Sequence, residues 1–194
     1  VTLGLTAPLC QLRSVVSRLA TCVSMSVLMS ILITLPFLGP ALVQGDLSAG
    51  PTQLDANGVC RQSQAFTCGP AAAVTALHHF GIRAAEGQLA VAARTSPIIG
   101  TSPWNLYRAV KSACGDADLR CSFRYLDSLE AVPADGVALI VIRDAFLSDH
   151  CVAVLDYNEQ TVTVADPAVG LLSVPRPRFA RRWRNCGIIL ERPL

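Results

Sequence analysis

Cys68 stands immediately before Gly69-Pro70 and an alanine-rich run, "TCGPAAAVTALHHFG". Covalent chemistry at a cysteine makes three demands. The thiol must ionise near neutral pH, a histidine must lie within hydrogen-bond reach, and a polar donor must face the oxyanion that forms on the attacked carbonyl. The run after Cys68 predicts a helix from about Gly69 to Phe80, stopped by Gly81, with Pro70 in a first turn that tolerates it. A thiol at that start would feel the positive end of the helix dipole. On this stretch alone a small buried cysteine before a turn is the commoner reading.

The chain has three histidines to test against Cys68. His78 and His79 lie on the same helix, roughly 15 Å along its axis at 1.5 Å per residue, which is too far to reach the sulfur. His150 remains, and it opens "HCVAVLDYNEQTVTVADP", a stretch that reads as a hairpin with strands 150–156 and 160–165 and a turn around Asn158. A turn centred on 158 places Asp166 opposite His150, so a carboxylate would orient the imidazole as the third member of a triad does. Cys151, its neighbour, should face the other side of the strand and join the core.

The elements that would position these groups divide along the chain. Helices are expected at 69–80, 85–94 and 103–114, the last with Ser102 as cap and Pro103 in the first turn. After them, "VALIVIRD" (137–144) is a continuous apolar run of the kind found in a central strand covered on both faces. "GLLSVP" and "GIILER" supply two more strands. Helices first and antiparallel strands afterwards make an α+β domain.

Taken in order, Gln62, "TCGPAAAVTALHHFGI" and "HCVAVLDYNEQTVTVADPAVG" resemble peptidase family C39, the papain-like cysteine peptidases best known as leader-removing domains of bacteriocin-exporting transporters. "GTSPWNLYRAVKSACG" is similar to the family's middle helix, and Phe179 with Trp183 to its closing segment. The resemblance covers about residues 57–192. It implies a papain-like fold, with N-terminal helices packed on an antiparallel sheet, and hydrolysis of a peptide bond. Cys68 would be the nucleophile, His150 the general base and acid, Asp166 its orienter and Gln62 the oxyanion donor. The six-residue offset from Cys68 favours Gln62 over Gln64 for that last role. Thr67 stands where the family often has an aspartate before the cysteine. A non-cleaving leader-binding domain and a papain-like amide-bond transferase are the alternative functions. The expected partners are a peptide or protein substrate and a separate export transporter.

Composition bounds the rest. The net charge is +2 and the basic residues are scattered, except for Arg176, Arg178, Arg181, Arg182 and Arg184, so a nucleic-acid partner is not expected. That arginine cluster reads as a solvated helix face. No cysteine or histidine spacing suits a metal, no Gly-rich Lys-Ser/Thr loop suits ATP, and no cofactor is expected. Residues 1–45 read as a membrane anchor or signal segment, 46–56 as a linker and 57–194 as the peptidase-like domain. The uncharged core Leu19–Leu35 is long enough to cross a bilayer, with Pro36 and Pro40 expected to end its helix. Arg13 and Arg18 on its amino-terminal side predict a cytoplasmic N-terminus and an extracytoplasmic domain, membrane-anchored or secreted after cleavage. Of eight cysteines, Cys10 and Cys22 fall in the hydrophobic segment. An oxidising compartment would permit a disulfide such as Cys114–Cys121.

Overall fold

A computed structural model describes residues 14–115, 117–145 and 148–193; Cys10 and Arg13 lie outside the described residues. Its first element, α1 (Val15–Ala49), is apolar all round, with a mean hydropathy of 2.1 over 18 residues. At 1.5 Å per residue it is about 50 Å long, more than the roughly 30 Å of a bilayer core. The helix is thus long and apolar enough to cross a membrane.

Two expectations are corrected here. α1 does not stop at Pro36 or Pro40 but continues to Ala49. Each proline removes one backbone hydrogen bond, and the turns on either side keep theirs. The segment read as a linker is therefore partly structured: 46–49 finish the helix, and β1 (Gln53–Leu54) pairs with β2 (Cys60–Arg61) in a small ribbon. Leu47 is buried, and its carbonyl lies so close to Gly87 that a Cβ there would come within 2.0 Å of it. Only glycine permits that approach.

The rest of the chain forms α2 (Cys68–His79), α3 (Glu86–Ala92), α4 (Pro103–Cys114), β3 (Arg120–Tyr125), β4 (Val137–Ala145), β5 (Ser148–Tyr157), β6 (Thr161–Asp166), β7 (Gly170–Pro175), α5 (Arg176–Arg182) and β8 (Trp183–Glu191). The last six strands make one antiparallel sheet in the order β3-β8-β4-β5-β6-β7. The α+β expectation holds, and the apolar run at β4 lies between β8 and β5 in the interior of the sheet.

Alternation along the strands explains why that run is apolar on both sides. Val137, Leu139, Cys151, Ala153, Ala165, Ile188 and Leu190 pack with α2 and α4. Ala138, Ile140, Val152, Val154, Val162, Val164 and Ile189 form a second cluster with Leu126, Val132 and Phe179 of α5. Each fully buried aliphatic side chain contributes about 1.5–3 kcal/mol. Helix α2 is buried from Gly69 through Leu77, its alanines letting the backbone approach the sheet closely.

Three of the clustered arginines are paired with carboxylates: Arg176 with Glu130, Arg182 with Asp144 at 3.0 Å and Arg184 with Asp149 at 2.8 Å. The segment is therefore more than a solvated face. The last two pairs tie the end of α5 and the start of β8 to the β4–β5 end of the sheet, and the first ties the start of α5 to the turn before β4. Cys22, Cys60, Cys68, Cys114, Cys121, Cys151 and Cys186 are free thiols. Cys114 and Cys121 sit in thiol–thiol hydrogen-bond contact, bringing together the pair for which a disulfide was allowed.

Leu77, 0% exposed in α2, accepts backbone hydrogen bonds from Phe80 and Ile82 and fills the helix-side core. Leu77→Ala is expected to cost about 2–5 kcal/mol. Urea unfolding should show a lower midpoint with an unchanged slope. An unchanged midpoint would mean that α2 is not held by this core.

Candidate active site

Helix α2 begins at Cys68 itself. Thr67, in the cap position, does not turn its hydroxyl toward the helix: Oγ1 donates to the Gln64 carbonyl (3.0 Å) and accepts from the Gln64 N–H (3.1 Å). The first-turn amides are thus left for another acceptor, and the Gly69 N–H bonds the Cys68 sulfur. Through these two bonds Thr67 orders the preceding loop, a role the sequence did not suggest.

The partner residues sit on the β5–β6 hairpin. His150 Nε2 and Asp166 Oδ1 are 2.8 Å apart. The sequence placed the two residues opposite each other, and the register corrects this. Ala153 faces Ala165 and Val154 faces Val164; continuing by one residue puts Asp166 opposite Val152. A bulge between Val154 and Asp156 adds a residue to β5, and the turn closes with Asn158 N–H donating to Thr161 O. His150 and Asp166 are therefore diagonal neighbours on one face, a separation that an imidazole can bridge. Asp166 also caps its own turn, Oδ1 accepting from Ala168 N–H at 2.8 Å.

With Nε2 bound to the carboxylate, Nδ1 is the nitrogen left for Cys68, whose thiol is in hydrogen-bond contact with the imidazole. Burial alone would push the Cys68 thiol up. Hydrogen bonds from His150 and from the Cys151 and Gly69 amides, with the imidazolium charge, overcome it and hold the thiol below its ordinary value. Burial would likewise lower His150, but the bonds to Asp166 and Cys68 and their charges raise it to about 10. Asp166 is lowered against its own burial by His150 and by the Ala168 and Val169 amides. A thiolate–imidazolium pair beside a carboxylate is the reactive form of a cysteine nucleophile. Cys151, one residue away, is driven well up by full burial and lies in the core as expected.

Gln62 is held from several directions. Its N–H donates to Pro167 O at 3.1 Å, and its Nε2 donates to Gln64 O at 3.0 Å. Oε1 is buried without a hydrogen-bond partner among the described residues. Gln64 is exposed, and the bonds it makes here run through its backbone. His78 and His79 are exposed far along α2. A cleft of about 550 Å³ opens at Cys68, bounded by Phe66, Ile98, Ile99, Ser148 and Asp149. Ile98 and Ile99, 54% and 67% exposed, form the tip of a tight loop closed by paired Ser96 and Gly100 backbone bonds of 2.9 Å. That lip left no signal in the sequence, because a two-residue bridge has no strand pattern. Among the described residues no cluster of His, Cys, Asp and Glu could hold a metal ion.

Residues 57–193 match the model of the peptidase C39 family. An uncharacterised protein of Methanothermobacter thermautotrophicus is 30% identical over 142 residues, covering 73% of this chain and 94% of that protein. The peptidase domain of Streptococcus ComA, a bi-functional ABC transporter of a quorum-sensing pathway, superposes with a TM-score of 0.57 at 19% identity, over 69% of this chain and 96% of that one. A double glycine motif protease from an AMS/PCAT transporter, solved in complex with the leader peptide, gives 0.58 at 16% identity, over 75% and 96%. At these identities the two structures speak for the fold alone.

The electrostatics set a direction for thiol reactivity. Iodoacetamide should label Cys68 with a pH midpoint below 9, the ordinary value of a thiol. In His150→Ala the midpoint should rise, because the imidazolium that favours thiolate is gone while burial remains. Peptide mapping by mass spectrometry checks both, with Cys151 unlabelled in the folded chain. Equal labelling of Cys68 and Cys151 would remove Cys68 from consideration.

Proposed function

The chain belongs to the peptidase C39 family, and from that membership and the site geometry we propose that it is a cysteine peptidase acting through Cys68, His150, Asp166 and Gln62. The observation that carries the reading is the Asp166–His150 contact of 2.8 Å with the imidazole turned to a thiol at a helix start. The thiolate attacks the carbonyl carbon of the scissile bond. The oxyanion receives N–H donors from the Gln62 carboxamide and the Cys68 backbone. His150 then passes the thiol proton from Nδ1 to the departing amine, the C–N bond breaks, and a thioester to Cys68 remains. Water adds to the thioester as His150 takes its proton, and the acid product leaves with the thiol restored. Asp166 holds the ring in the orientation and tautomer both steps require.

The substrate in this proposal is a peptide or protein with a double-glycine-type leader. The likeness to the transporter-derived protease, solved with its leader peptide, supports that class at the level of fold. Helix α1 anchors the chain in the membrane. In this proposal Arg13 before the helix and Arg18 in its first turn keep the N-terminus cytoplasmic. The peptidase domain then lies outside the cytoplasm, membrane-anchored or secreted after cleavage, where a separate export transporter would deliver the substrate.

The test is incubation of the full chain, in detergent micelles, with synthetic double-glycine leader peptides and analysis of products by mass spectrometry. Cleavage after the paired glycines is expected, absent in Cys68→Ala and slowed about 10²–10³-fold in Gln62→Ala. Bound but intact peptides would identify a leader-binding domain. Products joined to an added amine in place of water would identify a transferase.

A further inference from the structure

We propose that Glu86 is a positioning residue for the oxyanion donor, clamping Ser63 and thereby fixing where the neighbouring Gln62 carboxamide points. The inference rests on the peptidase reading above and adds a residue outside the Cys-His-Asp-Gln set.

Glu86 is the first residue of α3 and is 1% exposed. Its side chain is committed to one partner. Oε1 accepts from the Ser63 N–H at 2.9 Å and from the Ser63 hydroxyl at 3.0 Å, and Oε2 accepts from the same N–H at 3.2 Å. Its own N–H donates to Thr52 Oγ1 at 2.9 Å, which fixes the start of α3 in turn. Burying a carboxylate is costly unless its hydrogen bonds are well made. Here that cost secures an exposed residue in a loop without regular structure, a place where packing gains nothing.

What the clamp secures is the peptide group between Gln62 and Ser63, since the Ser63 N–H belongs to it. On its other side Gln62 is held by its N–H on Pro167 O, the residue after Asp166. With both flanking peptide groups fixed, the carboxamide has only side-chain torsions to settle, and the Nε2 bond to Gln64 O settles them. The second Nε2 hydrogen is left to aim. Glu86 is not among the groups that shift the Cys68 thiol, so its effect should reach the oxyanion and spare the nucleophile.

N-acetyl-glycyl-glycinal separates the two. The Cys68 S–H adds across the aldehyde C=O, giving a hemithioacetal whose oxygen occupies the oxyanion position, whereas alkylation by iodoacetamide displaces iodide and forms no oxyanion. In the full chain, aldehyde affinity is read as protection of Cys68 from alkylation. Glu86→Gln keeps the shape but loses an acceptor. It should weaken aldehyde binding by about tenfold or more, with the alkylation rate and its pH profile within about twofold of wild type. Gln62→Ala should weaken it at least as much, and Gln62→Ala/Glu86→Gln no further, because Glu86 acts through Gln62. Ser63→Ala, which removes one of the three hydrogen bonds without altering a buried group, should show a smaller loss in the same cycle. This keeps the test available if Glu86→Gln folds poorly. Unchanged aldehyde affinity in both variants, or losses that multiply in the double variant, overturns the positioning role. A wild-type Cys68 that alkylates readily but ignores the aldehyde overturns the oxyanion role of Gln62 and this proposal with it. A wild-type Cys68 no more reactive than Cys151 overturns the peptidase reading itself.

Discussion

The hydrogen bond between His150 and Asp166 is the contact on which the other features of the site depend. A histidine near neutrality would share its proton with a buried thiol only weakly, and burial by itself opposes charge on both groups. The carboxylate reverses that balance. It raises the imidazole, and the imidazolium in turn lowers the thiol, so each of the three groups is shifted toward its charged form against the burial that opposes it. The arrangement requires the hairpin and the start of α2 to be fixed relative to each other, because such coupling decays steeply with distance. The fold supplies this by seating α2 along β5 and β4 through a stripe of alanines, where larger side chains would hold the helix away.

The same loop that presents Asp166 also holds the backbone of Gln62. Asp166 accepts from Ala168, Pro167 accepts from Gln62, and Ala168 accepts from Arg61. Gly170 closes the turn with φ of +104°, at a point where a Cβ would approach Arg61 and Asp55 to 3.1 Å. The segment Arg61–Gln62 therefore runs against the 166–168 turn, and an error in one would be passed to the other. The backbones that carry Asp166 and Gln62 are fixed against each other in this way, and the side-chain torsions are what remain to set.

How much of this was legible in the sequence depends on the range of each interaction. Helix α2 and the sheet announced themselves because periodicity and β-branching are local signals, and Ser102-Pro103 gave α4 its first residue. His150 and Asp166 emerged because a hairpin makes their proximity nearly local. Their register did not, since a bulge near Leu155 leaves no mark on composition. The extension of α1 past two prolines was missed for a related reason. Proline weakens a helix at one hydrogen bond, and whether the helix then continues is decided by the neighbours it meets, such as Gly87 beneath Leu47. Glu86 was invisible for the strongest reason. Its partner lies 23 residues earlier, and an isolated glutamate at a helix start looks like any residue that favours the dipole.

Asp149 raises a last electrostatic question, because it lines the cleft beside Cys68. A carboxylate opposes ionisation of a nearby thiol, and at Cys186 burial and then Asp149 push the thiol up. Arg184 answers it: both Nε and Nη2 donate to Asp149 Oδ1, at 2.9 and 2.8 Å. As a contribution to stability an exposed pair of this kind is worth about 0–1 kcal/mol. Asp149 still adds to the burial that pushes Cys186 up, and at the cleft mouth the guanidinium sets a positive charge beside the carboxylate. Arg182 does the same for Asp144 on the neighbouring strand. The arginine-rich segment that composition presented as a surface feature thus sets cations against the acidic residues of the β4–β5 hairpin, Asp149 at the cleft among them.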